Sequence, residues 1–496
     1  MGIIDIKTKL ISIFRSIPFF SSLIKNKEFY NRTLDSIKFH KERDQKDDEK
    51  TSPKNDNIKL HCIWVSEVFT PSTLESLISS LGNMGWNYCD NDLGDKIALS
   101  EWIVQNRANL MGSGWINGGI VLNYLDKGRF IGAGVRRSNL PKFVDYCHLS
   151  IRNITSSLTI LTLQFVIKED YRDLTALFKE GTYQTKVEYK KSGIFYRSAS
   201  YINIEQQKRT ALKDKLDQMN DELYSWFSTN LPGLYSQNSI NHPTVDLITS
   251  DEYKLVDSSK HTQSYIDLLF PYGTEIWSAE KDLPVSLISK NLTSSPDPVL
   301  FFGNFKDLTI DNKSYGGETT EGLVNKLNSY LERNIDLLAL HTSLVTHEKI
   351  LTSIRDKSLS ETKGLNQTIK DLSKIKTSFL SVSNDIQLMA DDVLDLTNSK
   401  NKYSYDCLDF EPPKYYKGQR SNLLEVLRQQ DEMRIKFLRN LIKAVGSSIN
   451  SDINLNSTII NLKIQRTTIV LALFTILLSI LALWNLISDL FNWLIN

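Results

Sequence analysis

The sequence predicts an α+β cytoplasmic body followed by a long α-helical hairpin or coiled-coil stalk and a single C-terminal transmembrane helix. Three observations lead there. Short strand-like runs alternate with helical ones between residues 58 and 317. Leu365, Thr368, Leu372, Ile375, Phe379, Val382, Ile386, Met389, Val393 and Leu396 then follow an unbroken 3,4 alternation, the seam of a coiled coil or long helical hairpin. Residues 467–488 form a run of 22 positions without a charge. As a helix that run would extend about 33 Å, enough to cross a hydrocarbon core of about 30 Å.

Residues 1–40 form the first segment, an amphipathic helical stretch. Ile3, Ile6, Leu10, Phe14, Ile17 and Ile24 stand at near-helical spacing, with Lys7, Lys9 and Arg15 between them. Arg15 interrupts what would be the apolar core of a signal peptide, and Ile6 stands where a myristoylation motif needs Ser or Thr. Such a stripe either docks onto the protein's own core, the expected fate here, or lies on a membrane surface. Residues 41–57 read KERDQKDDEKTSPKNDN, without an aliphatic or aromatic side chain, and are expected to be a disordered charged linker.

Residues 58–317 are expected to form one mixed α+β body. The run from Ile58 to Phe69 is strand-like; the next residues carry Pro71 near a helix start, Ser72 and Glu75 at capping-box spacing, and Gly82 at the far end. This strand-then-helix order recurs loosely over 157–181. Residues 115–125, 129–135 and 143–151 are strand-compatible, and their short connections favour antiparallel neighbours. Residues 184–190 and 193–201 suggest a hairpin. A helix over 204–229 follows from Leu212, Leu216, Met219, Leu223 and Trp226, at steps of 4, 3, 4 and 3. A further strand is expected over 299–302.

Residues 318–397 are expected to form the antiparallel hairpin or coiled coil, its first arm carrying Leu323, Leu327, Tyr330, Leu337 and Leu344. A loop over 398–420 contains Pro412-Pro413, which no helix continues through. The stalk helix, 421–466, lines up Ile435, Leu438, Ile442, Val445 and Ile449 and runs without proline into the transmembrane helix, 467–488. A stalk joined rigidly to a span can transmit rotation or tilt. Lys463 and Arg466 precede the span and only Asp489 follows it, in the short outer tail 489–496, so the positive-inside rule expects the body in the cytoplasm. Trp484, Phe491 and Trp493 suit an interfacial anchor.

The charges nearly cancel, 59 Lys and Arg against 58 Asp and Glu, so no global field draws nucleic acid. Cys62, Cys89, Cys147 and Cys407 lack the C-x-x-C spacing of a zinc site. Asp90, Asp92, Asp95 and Glu101 fall at the first, third, sixth and twelfth positions of a possible divalent-cation loop. Gly94 comes one position before the sixth, where the sharp turn needs it, and a helix cap is the plainer reading. Gly112 to Gly119 and Gly128 to Gly134, with Arg136 and Arg137 following, offer backbone amides and guanidinium groups to an anionic small ligand, or simply hairpin turns. They match neither G-x-G-x-x-G nor a P-loop. The seven histidines show no H-E-x-x-H and no G-x-S-x-G elbow occurs, so no catalytic residue and no cofactor is expected.

The layout over 319–488 resembles that of CorA-type magnesium channels, in which a cytoplasmic body and helical hairpin precede a stalk helix that enters the membrane. No Gly-Met-Asn occurs here and only eight residues follow Ser488, so the resemblance implies an arrangement and carries no ion selectivity. The expected role is a membrane-anchored, cytoplasm-facing sensor or scaffold that forms a homo-oligomer through its helices, with the lipid bilayer as a partner. The alternative is a pore-forming or membrane-disrupting effector of the bacterial-defence kind, with Thr468, Thr475 and Ser479 on one face of the span.

Overall fold

The computed structural model describes residues 35–36, 38–39, 42–90, 96–108, 114–124, 134–192, 195–254, 265–269, 274–279, 283–290, 292, 298–310, 312–361, 369–412 and 421–495. The amphipathic run over 1–34 lies outside them, as do Asp92 and Asp95. The chain divides into two compact units. The first holds residues up to 345 together with 392–432, and the second holds 346–391 and 433–496.

The first unit is built on a nine-stranded mixed sheet. In chain order its strands are β1 (Ile58–Phe69), β4 (Gly114–Asn123), β5 (Val135–Ser138), β6 (Val144–Thr155), β7 (Leu158–Ile167), β10 (Thr244–Ser250), β11 (Glu275–Ala279), β12 (Val285–Ser289) and β13 (Val299–Asn304). Two ribbons stand apart, β2 (Tyr88–Asp90) with β3 (Lys96–Ala98), and β8 (Lys186–Ser192) with β9 (Phe195–Ile202). Across the main sheet the order is β11-β12-β13-β10-β1-β7-β6-β4-β5. The hairpins pair antiparallel, as their short connections require. β10 with β13, and β4 with β5, pair parallel. The expectation of antiparallel neighbours holds for β4 with β6, while residues 129–133 of the strand expected over 129–135 lie outside the described residues.

Six long or medium helices are labelled α1 (Leu74–Asn83), α2 (Leu99–Ala108), α3 (Ile204–Asn230), α4 (Thr320–Glu361), α5 (Ile369–Asn398) and α6 (Leu423–Ile495). One face of the sheet presents Ile63, Val65, Leu161, Leu163, Phe165, Leu149 and Ile151 to the apolar stripes of α1, α2 and α3, among them Leu77, Ile103, Leu212, Leu223 and Phe227. Full burial of each large apolar side chain contributes about 1.5–3 kcal/mol. The other face carries Trp64, Ser66, Thr162, Gln164 and Arg152 against α4. The body is thus a three-layer sandwich, oily under α1, α2 and α3 and mixed under α4, which buries Leu323, Leu327, Leu331 and Ile335 as well as its polar contacts.

A β-bulge at Asn117 and Gly119 explains the Gly118-Gly119 pair. Gly119 has φ +87°, and a Cβ there would come within 2.2 Å of the Gly134 carbonyl oxygen. The strand-then-helix repeat is kept only in its first copy. After β7 the chain makes short helical turns at Glu169–Arg172 and Thr175–Phe178, because a bridge from Asp173 to Lys59 and the bond from the Leu174 amide to the Ile58 carbonyl pull it onto β1.

Two stretches differ from their expected form. Residues 42–50 are helical and not a free linker. Asp44 takes bonds from Thr185, and Asp48 meets the fully buried Lys208 ammonium of α3 at 2.6 Å. The ammonium also donates to Ser52, Thr51 and the Phe178 carbonyl. Composition could not reveal this, since the order comes from a charge on α3 and not from apolar burial. Within the expected loop at 398–420, Lys400–Tyr403 forms a helical turn with Tyr403 buried, and Glu411 bridges to Ser278 of β11.

The second unit packs parts of α4, α5 and α6. Phe379, Ile386 and Met389 of α5 are buried, as are Ile435, Leu438, Ile442, Val445 and Ile449 of α6. Gly446 does not break α6. A Cβ there would approach the Phe379 ring to 3.1 Å, so the glycine lets the two helices come close. Arg439 meets Asp391 at 2.5 Å, while Gly446 meets Phe379, so α5 and α6 run antiparallel.

Replacing Asp48 by Ala strands the buried Lys208 ammonium and is expected to lower the unfolding free energy by about 3 kcal/mol or more. The paired change Asp48→Ala with Lys208→Met should restore much of that loss. Denaturant unfolding of the full chain in detergent checks both.

Candidate functional site

Two features of the described residues carry chemistry beyond packing. The first is the far end of α6. Residues Asn461–Asn485 are long and apolar enough to cross a membrane, and none of that stretch is buried. Leu471, Phe474 and Leu478 are exposed, and Trp484 is 70% exposed. Soluble proteins rarely present a contiguous apolar surface of more than a few hundred Å². A helix satisfies its own backbone groups, which is the condition for standing in hydrocarbon. The hydroxyls follow the same rule. Thr467 and Thr468 donate to the carbonyls of Lys463 and Ile464 at 3.0 and 2.9 Å, and Thr475 and Ser479 to those of Leu471 and Thr475 at 2.9 Å each.

The second feature is the polar interface beneath α4. Every fourth residue along the helix meets the sheet through a polar contact. Thr320 accepts from Arg172 at 3.0 Å, the Val324 carbonyl from Gln164 at 3.3 Å, and Asn328 from the Trp64 indole at 3.2 Å. Glu332 accepts from the Trp115 indole at 2.9 Å, and Asp336 sits 2.6 Å from the Arg152 guanidinium. Burial pushes the Asp336 carboxyl up to about 6 even though Arg152 opposes the rise. His61, at the start of the same interface between Thr249 and Thr320, is driven down to about 3 by burial and by Arg172 and Lys59. It stays neutral.

Further along α4, the His341 Nδ1 lies 2.5 Å from Asp431 of α6, and the Tyr403 hydroxyl donates to the same carboxylate at 2.7 Å. All three side chains are buried. The opposite nitrogen, Nε2, has no hydrogen-bond partner. His341 borders a cavity of about 20 Å³ together with Ser66, Thr244 and Thr342. That volume admits one water and no substrate. Asp431 orients the imidazole, but nothing larger can reach it.

A second histidine cluster joins Glu67, His242 and Ser236. A nucleophile relay needs the hydroxyl and the carboxylate on opposite ring nitrogens. Here both lie on Nε2, at 3.0 and 2.9 Å, and the Ser236 hydroxyl bonds to Glu67 directly at 2.7 Å. Burial alone would raise the Glu67 carboxyl, yet His242, Ser236 and the Tyr235 amide hold it below its ordinary value. The carboxylate thus caps the turn at Leu234–Gln237, with Tyr235 and Ser236 amides at 2.9 and 3.1 Å. This is a structural clamp.

Of the residues singled out in the sequence, Asp92, Asp95, Gly112 and 128–133 lie outside the described residues. Arg136 is buried and donates to the Tyr88 and Gly134 carbonyls at 2.6 and 3.3 Å, while Arg137 donates to the Asn123 carbonyl at 3.1 Å. Both guanidinium groups tie strand backbones. The Gly119 amide donates to Asn117 at 2.8 Å. Asp90 ends β2 and Glu101 lies exposed in the first turn of α2. Among the described residues no group of three or more His, Cys, Asp or Glu side chains is arranged to hold a metal ion. No family model matches the chain, and no curated protein or solved structure is similar to it.

Asp246 of β10 offers a test of the buried charges. Burial, with Asp217 adding, pushes its carboxyl up to about 7 from an ordinary 3.8. Between about pH 4 and pH 7 the folded state keeps a proton that the unfolded chain has released, so stability falls through that window. Asp246→Asn should leave stability near pH 4 unchanged and raise it above pH 7, by at most about 4 kcal/mol. Denaturant unfolding at the two pH values measures the difference; equal shifts at both would contradict the assignment.

Proposed function

We propose that the chain is a membrane-anchored sensor or scaffold, its α+β body held on the cytoplasmic side by the apolar end of α6. The observation that carries this reading is the wholly exposed apolar stretch at Asn461–Asn485, continuous with a helix whose first turns pack in the body. Lys463 and Arg466 flank its near end, which suits a body on the cytoplasmic face. The long helices α4, α5 and α6 supply the hairpin and stalk of this reading, and copies associate through them. Scaffolding is favoured over pore formation because the hydroxyls of the proposed span are spent on their own backbone. They offer little to line a water path. Catalysis has no support in the two histidine clusters, one sealed to substrate and the other wired to a single ring nitrogen.

Cell fractionation followed by alkaline carbonate extraction tests the anchor. The full chain should stay with the membranes through extraction, and a chain lacking 467–496 should appear in the soluble fraction. A full chain that is soluble and monodisperse without detergent overturns the proposal.

A further inference from the structure

Asp246 of β10 and Asn220 of α3 are 4% and 3% exposed, and the Oδ1 atom of each is buried without a hydrogen-bond partner. Native folds leave few buried polar atoms in that condition. The two belong to one place. Asp246 pairs with Ile63 of β1, and facing residues of an antiparallel pair point to the same side of the sheet, so its carboxyl points toward α3. Thr244, two residues earlier on that face, meets the Tyr224 hydroxyl of α3 at 3.1 Å. The far end of β10 approaches the start of the helix. Ser250 and Tyr265 donate to the same Asp56 carboxylate, and Arg209 donates to the Asp267 carbonyl of the turn at Tyr265–Leu269. Strand and helix therefore run antiparallel. At about 3.3 Å per strand residue and about 1.5 Å per helical residue, the step from Thr244 to Asp246 matches about four residues of α3, which brings Asp246 level with Asn220.

Asp217, Asn220 and Tyr224 follow one another on α3 at steps of three and four, so they share a stripe. Asp217 also lines an open groove of about 470 Å³ with Asp214, Asp221 and Glu222. The charge of Asp217 reaches Asp246 and adds to the rise that burial causes there. Its contact with Lys213 is an exposed pair at 3.7 Å, which contributes little. The unmet atoms of Asn220 and Asp246 are both acceptors, and Asp217 adds a carboxylate at the rim. They fit a cation that carries hydrogen-bond donors. A divalent metal takes more oxygen ligands than these side chains supply, and no group of three His, Cys, Asp or Glu is assembled among the described residues. A primary ammonium has three donors, one for each of the three side chains. We propose that the notch between α3 and β10 binds a primary ammonium group held by Asn220, Asp246 and Asp217, and that the ligand is an aliphatic diamine or longer oligoamine whose second ammonium meets Asp221. Cβ atoms one helical turn apart stand about 5–6 Å from each other, a separation that a short methylene chain spans between two ammonium groups. The site lies within the first unit and does not rest on the membrane anchor. A carboxylate that destabilises the fold above pH 7 is then offset when the amine meets it.

Isothermal titration calorimetry of the full chain in a non-ionic detergent tests the site, with putrescine, spermidine, butylammonium and Mg²⁺ as separate titrants. Salt at about 0.15 M screens the exposed carboxylates, and a pH of about 8 keeps Asp246 ionised. Putrescine and spermidine should bind at one site per chain, and more tightly than butylammonium, which has one ammonium on a chain of the same length as putrescine. Asp246→Asn, which keeps the shape of the side chain, and Asp217→Asn should each weaken putrescine at least about tenfold. Asp221→Asn should remove the advantage of putrescine over butylammonium. Denaturant unfolding checks that each variant is folded. Absence of amine binding by the parent chain overturns the proposal. Amine binding that Asp246→Asn leaves unchanged also overturns it, because the cation would then sit on the exposed face of α3. Mg²⁺ binding that Asp246→Asn abolishes, in a chain that binds no amine, would assign the notch to a metal. Putrescine binding no tighter than butylammonium would overturn the oligoamine assignment.

Discussion

The Asp431 carboxylate is the point on which the body's arrangement turns. It sits near the beginning of α6 and is held from two sides, by His341 of α4 and by Tyr403 of the short helix before α6. A carboxylate removed from water is tolerated only where donors replace its hydration. The two donors come from segments 90 and 28 residues away in sequence, so the charge is accommodated only when α4, the 400–403 turn and α6 have all reached their places. The helix that carries the apolar stretch is thereby tied to the sheet through α4. Arg428, one turn earlier, adds bonds to the Thr397 carbonyl and to Glu425 on the same first turns.

The two faces of the sheet are held by different physics. Under α1, α2 and α3 the contact is apolar, roughly proportional to area and indifferent to small shifts. Under α4 buried leucines are joined by a row of directional bonds four residues apart. Shifting α4 by one turn would set Asn328 where Glu332 now meets Trp115 and Arg152, and would remove the Asp336 carboxylate from its guanidinium. Those polar groups add little net stability, since desolvating Arg152, Glu332 and Asp336 offsets most of what their attraction returns. They supply register.

Much of the fold is legible in the sequence where periodicity is strong. β1, the β8–β9 hairpin, α3 and the three long helices follow from alternation at period two or from 3,4 steps. The parallel pairings of β5 and β10 are not legible, because strand order depends on contacts between segments that no local pattern records. The ordering of residues 42–50 was hidden for a related reason. Their partner is a lysine far along the chain that looks like any solvated charge until α3 buries it. The polar row at 320, 328, 332 and 336 leaves only a partial signal, interrupted at Val324, whose contact is made by its backbone carbonyl, and only the pairing of helix with sheet gives it meaning. Gly118 and Gly119 lie at a bulge, and the Arg136 and Arg137 guanidinium groups donate to backbone carbonyls of neighbouring segments.

A body specified by directional bonds also constrains what the long helix can do. Bonds at Asp431 fix α6 at one end in rotation as well as position, because the carboxylate must face both His341 and Tyr403 at once. Along the helix, intrahelical hydrogen bonds resist twisting, and no proline interrupts the ladder between Leu423 and Ile495. Gly446, the one residue there that could soften it, is packed against the Phe379 ring, where added side-chain volume would have to displace an aromatic. The glycine is therefore a close-packing position and not a hinge.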